Sequence, residues 1–198
     1  MEIKMPPLPE SSDKLFTTEG DWWNNACLNY LPDGWGLYAI GYKDAADILV
    51  KYVETERMHQ DSLVFPVVFL YRQYLELALK DLIRQSRKLL DTYEPFPKTH
   101  RLDELWRICN KLLKEISPGD SEEEMRQIGR LIDEFCQVDP TSIAFRYPED
   151  KDGSPSLPGI RHINLRNVAE VTNKISAILD GADAMVDEYL SFKSEMGP

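Results

Sequence analysis

The stretch from Leu63 to Leu90 limits what this chain can fold into more than any other. Val67, Leu70, Tyr71, Tyr74, Leu75, Ala78, Leu79 and Leu82 recur at intervals of three and four and cover more than half the circumference of a helix. A helix that apolar needs other elements around it, so the spacing predicts a central helix about 40 Å long at 1.5 Å per residue. Pro66 is tolerated near its first turn, where a missing N–H costs little, and Tyr93 to Lys98, with Pro95 and Pro97, ends it.

The elements to surround it follow from the same periodicity. Ala39, Tyr42, Ala46, Leu49, Val50 and Val53 predict a helix from about Trp35 to Arg57. Thr99 reads as the N-cap of a helix carrying Leu102, Leu105, Trp106, Cys109, Leu112 and Leu113. Ser121 with Glu124 makes a capping box for a fourth, with Met125, Ile128, Leu131, Ile132 and Phe135, which stops before Asp139-Pro140. A final helix runs from about Asn167 to Phe192. Between the last two the period changes: 143–147 and 160–165 flank a proline- and glycine-bearing loop, which predicts a small β-hairpin over about 143–165. The expected fold class is all-α, an antiparallel bundle of about five helices with a β-hairpin insertion before the last helix. Residues 1–20 lack periodicity and read as an extended or mobile arm, and 21–198 as a single domain opening with an aromatic strap, 21–38, that includes Trp22, Trp23, Tyr30 and Trp35.

Acidic side chains number 34 against 23 basic ones, for a net charge of −11. That field repels phosphate backbones at long range and disfavours broad double-stranded DNA binding, while leaving room for a confined site for a nucleotide or one RNA strand. Cys27, Cys109 and Cys136 have neither CxxC nor Cys/His metal spacing, so they are expected reduced and buried, in a cytoplasmic protein. Met1 to Pro9 has no secretory h-region, and the longest nearly apolar run, Leu63 to Tyr71, falls far short of the ~20 residues of a membrane span.

The informative residues of so apolar a central helix are its polar ones. Arg72, Glu76 and Lys80 stack at i, i+4 and i+8. They form either a solvated ion-pair ladder or the polar wall of a cleft where Arg72 meets an anion and Glu76 steadies its guanidinium. His100, next to Thr99, falls in a helix's first turn, where the macrodipole disfavours imidazolium and leaves a base or a phosphate donor. Arg146 lies between Phe145 and Tyr147, and strand alternation would set both aromatics on the face opposite to it. No phosphate loop, GxGxxG, HExxH or GxSxG is present, so neither cofactor nor metal is expected.

The order of these features resembles a known family. Phe69-Leu-Tyr-Arg-Gln-Tyr-Leu-Glu-Leu-Ala-Leu-Lys80, then Thr99-His100-Arg-Leu102-Asp-Glu-Leu105, then Phe145-Arg-Tyr-Pro148 and a last amphipathic helix, is similar to the HEPN superfamily (higher eukaryotes and prokaryotes nucleotide-binding), over roughly residues 35–192. The resemblance implies a homodimer from a prokaryotic stress or defence system. It also implies either a metal-independent ribonuclease, built on an Arg-x(4 to 6)-His motif, or a fold that binds nucleotide or a partner protein. That motif is missing: the arginines closest before His59, His100 and His162 are Arg57, Arg87 and Arg161, at separations of two, thirteen and one. Non-catalytic nucleotide or anion binding, or assembly, through Arg72, Glu76, Lys80, Arg146 and Tyr147 therefore ranks first. A ribonuclease with a rearranged site, using His100 as base and Arg146 on the phosphate, ranks second, and a purely structural interaction subunit completes the set.

Overall fold

A computed structural model describes residues 7–18, 20–31, 33–119 and 122–196. Contacts divide the chain into two units, Met1–Pro32 and Asp33–Pro198. In the first, the only helical turn among the described residues is a short 3-10 helix, Trp22–Asn24. Its apolar side chains are not packed away: Trp22 is exposed and Trp23 is 93 % so.

The second unit consists of five helices: α1 (Trp35–Glu56), α2 (Gln60–Leu89), α3 (Leu102–Ile116), α4 (Glu122–Val138) and α5 (Leu165–Met196). As the periodicity requires, α2 is the centre, with α1, α3 and α5 packed on it and α4 packed on α3. Its Tyr74, Leu75, Leu79, Leu82 and Ile83 are buried against the apolar face of α3, which repeats at three and four through Leu102, Leu105, Trp106, Cys109, Leu112 and Leu113. Each such aliphatic side chain contributes about 1.5–3 kcal/mol when fully buried. Above this cluster, Ala46 and Val50 of α1 and Ala169 of α5 close on Val67 and Tyr71. Close approach of α4 to α3 needs Gly129, because a Cβ there would lie 2.9 Å from Trp106 Nε1.

Helix α2 is long and apolar enough to cross a membrane by length and composition. Here, however, its middle carries the buried Arg72, Glu76 and Lys80, and three helices cover it. It starts three residues earlier than the periodicity suggested, so Pro66 lies in the second turn and not the first. Cys109 is buried, which pushes its thiol up to about 12, and Cys136 is half-buried with its thiol shifted the same way. Cys27, expected inside, is exposed.

The β-hairpin expected over 143–165 is not formed, and no strand occurs among the described residues. The Asp139 carboxylate accepts hydrogen bonds from the amides of Ile143 and Ala144, at 2.9 and 3.2 Å, and curls the chain into a turn. The Arg146 and Tyr147 amides then bond back to the Ile143 carbonyl, which uses up the donors a ladder would need. Beyond it, a single bridge joins Glu149 to Pro155 around a tight loop, and residues 160–164 form neither helix nor strand. Side-chain placement changes accordingly: Phe145 is buried while Tyr147 is exposed, so the two do not share a face as strand alternation demanded. Thr99 is likewise not a helix cap. Its hydroxyl accepts the Arg101 amide at 3.1 Å, α3 begins at Leu102, and His100 therefore precedes the helix instead of sitting in its first turn. The capping residue proposed for α4, Ser121, lies outside the described residues.

Candidate functional site

One face of α2 carries Phe69, Arg72, Gln73, Glu76 and Lys80, which the 3.6-residue repeat brings into line. Arg72 is 0 % exposed. Its Nη1 donates to Glu76 Oε2 at 2.9 Å, its Nη2 donates to the His100 carbonyl at 2.5 Å, and its Nε lies 3.7 Å from Asp139 Oδ2. Lys80 Nζ donates to Glu76 Oε1 at 2.8 Å. Two cations and two carboxylates thus neutralise one another inside the bundle, the condition under which buried charge is tolerated. Burial alone would raise the Glu76 carboxyl, but hydrogen bonds from Lys80, His100 and Arg72 outweigh it and hold the group below the usual carboxylate range.

His100 closes the network from outside. Its Nδ1 is 2.7 Å from Glu76 Oε1, while its side chain remains 68 % exposed. An ionised carboxylate only accepts, so Nδ1 carries the proton in this contact, and in the neutral ring Nε2 keeps a lone pair. No hydrogen bond occupies Nε2 among the described residues. The turn set by Asp139 delivers the second exposed group. Arg146 lies with Cζ 5.8 Å from the centre of the Phe69 ring and 5.2 Å from that of Tyr147. Cation–π contact of this kind steadies a guanidinium, and among the described residues Arg146 spends only Nη2 on a side-chain bond, to the Tyr147 hydroxyl at 3.4 Å.

The expected site residues therefore separate into two sets. Arg72, Glu76 and Lys80 do face inward, but into contact with one another, and a ligand could reach them only by displacing those partners. His100, Arg146 and Tyr147 are exposed. The anchors of the two potential ligand contacts, Phe69 under Arg146 and Glu76 under His100, are seven residues apart on one helix face, or about 10 Å along the axis. Asp139 was missed from the sequence, where Asp139-Pro140 served only as a helix stop. The available signal was the run Asp-Pro-Thr-Ser, since aspartate commonly bonds backbone amides just after itself. Among the described residues no group of three or more histidine, cysteine or carboxylate side chains could hold a metal ion. No protein-family model matches this chain, and neither does any curated protein or solved structure.

Proposed function

We propose that this chain binds a nucleotide or a short single-stranded RNA segment across the exposed face of α2 without cleaving it. Arg146 takes phosphate oxygens, His100 joins it through Nε2–H when its ring carries both protons with Nδ1–H on Glu76, and Tyr147 offers its ring to a base. The observation that carries this reading is the pairing of two exposed nitrogen-bearing side chains along one helix face, each backed by fixed structure: Arg146 over Phe69, and His100 on the buried Glu76. Their anchors, Phe69 and Glu76, lie about 10 Å apart along the helix axis, a span that suits two contacts with an extended ligand. The resemblance to nucleotide-binding HEPN proteins, within a stress or defence system, supports the same assignment. The net charge of −11 opposes this binding at long range and confines it to a local site.

The ribonuclease reading retains one observation in its favour. The Glu76 contact fixes the proton on Nδ1 and leaves Nε2 as a base, which is how a histidine is prepared to accept a 2′-hydroxyl proton. One experiment separates the two: calorimetric titration with ATP and with a short single-stranded RNA, alongside RNA cleavage in excess EDTA. The binding reading expects affinity reduced about tenfold in Arg146→Ala and lowered in Tyr147→Ala, with no turnover above background. Cleavage lost in both Arg146→Ala and His100→Ala would transfer the assignment to catalysis, and an absence of both binding and cleavage would remove it.

The expected homodimer belongs to this reading too. The outer face of α1 exposes Leu37, Ile40 and Ile48, with Asp44 one turn before Ile48 and Lys51 just after it. Two such helices crossing antiparallel at Ile48 would bring each Asp44 to the other copy's Lys51. Sedimentation should report a dimer that Ile48→Asp converts to monomer; an unchanged dimer would move the interface elsewhere.

A further inference from the structure

Where a hairpin was expected, Ile160, His162, Ile163 and Asn164 instead line a cavity of about 460 Å³ between α2, α4 and α5. Its apolar inner surface includes Val68, Leu75, Phe145 and Ile175, all buried. Leu131 of α4 and Val171 of α5 form opposite walls. Water gains few hydrogen bonds in such a space, whereas a molecule with an apolar body removes apolar surface on both sides from water. Thr172 adds a polar point. It is 3 % exposed and it lines the cavity.

The rim favours one kind of head group. Arg130 and His162 stand at the mouth, and Asn164 directs its Oδ1 to the Asn167 amide, which leaves its NH₂ as the free donor. Glu134 is the only carboxylate on the lining among the described residues; Arg130 donates from Nε to Gln127 Oε1 at 3.2 Å and from Nη1 to Glu134 at 3.5 Å, which leaves its Nη2 available. Donors outnumber acceptors, so the mouth complements an anionic, acceptor-rich group.

We infer that this cavity binds a small amphipathic monocarboxylate, with its apolar chain between Leu131 and Val171 and its carboxylate at Arg130 and His162. The site is separate from the α2 face and does not rest on the nucleotide reading.

The probes are decanoate and its neutral counterpart decanol, titrated calorimetrically into the full-length protein and followed by thermal unfolding. Decanoate is expected to bind saturably at one site and to raise the melting temperature through mass action on the folded state. Arg130→Ala, an exposed position, should weaken decanoate about tenfold and leave decanol nearly unchanged. Val171→Trp and Leu131→Trp fill the cavity from opposite walls and should abolish binding of both probes, with circular dichroism verifying that each variant is folded. Absence of saturable decanoate binding to the wild-type protein overturns the inference, and so does binding that a folded cavity-filled variant retains. Decanol binding as tightly as decanoate overturns the assignment of the head group. Should both filled variants unfold, the Arg130→Ala comparison still decides.

Discussion

Helix α2 buries carboxylates in two places, and the two are solved differently. At its middle, Glu76 is surrounded by Arg72, Lys80 and His100, and its carboxyl is held below the ordinary range. One turn further on, Asp81 feels the charges of Asp33 and Asp187, and Asp183 of α5 those of Asp187, Asp81 and Asp180, with Arg84 as the principal cation. There burial comes first and the neighbouring carboxylates reinforce it, pushing the Asp183 carboxyl up to about 6 against the pull of Arg84. Burial is similar in kind at both sites; the balance of partners decides whether the charge stabilises the fold or works against it.

The sharpest way to break the contrast is Arg72→Met. Removing the cation leaves Glu76 and Asp139 as buried carboxylates short of a partner, and a loss of about 3–5 kcal/mol is expected from urea unfolding. A loss below about 1 kcal/mol would mean the network is hydrated in solution. Asp183→Asn should do the opposite. The amide oxygen can still accept from Gln85, which now donates to Asp183 Oδ1 at 2.8 Å, while the unfavourable charge is gone. A gain of about 1 kcal/mol at pH 7.5 is expected, discounted because the residue is only half-buried.

The pH dependence separates the two clusters by sign. Asp183 binds its proton more tightly in the folded than in the unfolded chain, so its contribution to stability falls as pH rises from about 4 to about 6. Glu76 has a lowered folded value, so its contribution is complete above its unfolded value of 4.5 and is lost as pH falls through the folded one. Chemical unfolding across pH 3.5–7 should show the falling limb between about 4 and 6 flattened in Asp183→Asn and retained in Glu76→Gln. An unchanged limb in Asp183→Asn would assign it to another acid. The smallest effect belongs to His100→Ala. Arg72 and Lys80 still hold Glu76, and a largely exposed contact is worth under about 1 kcal/mol, so the variant should remain folded and usable in binding assays.

The helices were legible because their apolar spacing states both their period and the face they bury, and α2 could be identified as central from its own residues. The segment 139–147 was not legible. A short run such as Ile-Ala-Phe-Arg-Tyr fits a strand as readily as a turn, and the deciding contact comes from a side chain four and five residues upstream. His100 was singled out for a reason that fails, since Thr99 closes a turn and caps no helix, yet the residue lies beside Glu76 all the same. The ladder of Arg72, Glu76 and Lys80 was visible as a spacing, but Asp139, its remaining counterion, joins only through the tertiary fold. The acidic cluster was hidden for the same reason. The spacing of Asp180, Asp183 and Asp187 is plain on α5, whereas Asp81 opposite them belongs to another helix.

Asp139 divides its carboxylate between two tasks: one oxygen bonds the amides that shape the turn leading to Arg146, and the other faces Arg72. Positions 72 and 139 are consequently not free to drift independently over generations. A lineage that exchanges the buried cation must renegotiate the turn at the same time, and with it the aim of an exposed arginine that touches neither residue. The two positions should therefore vary as a pair, and the surface they control should diverge in step with the interior.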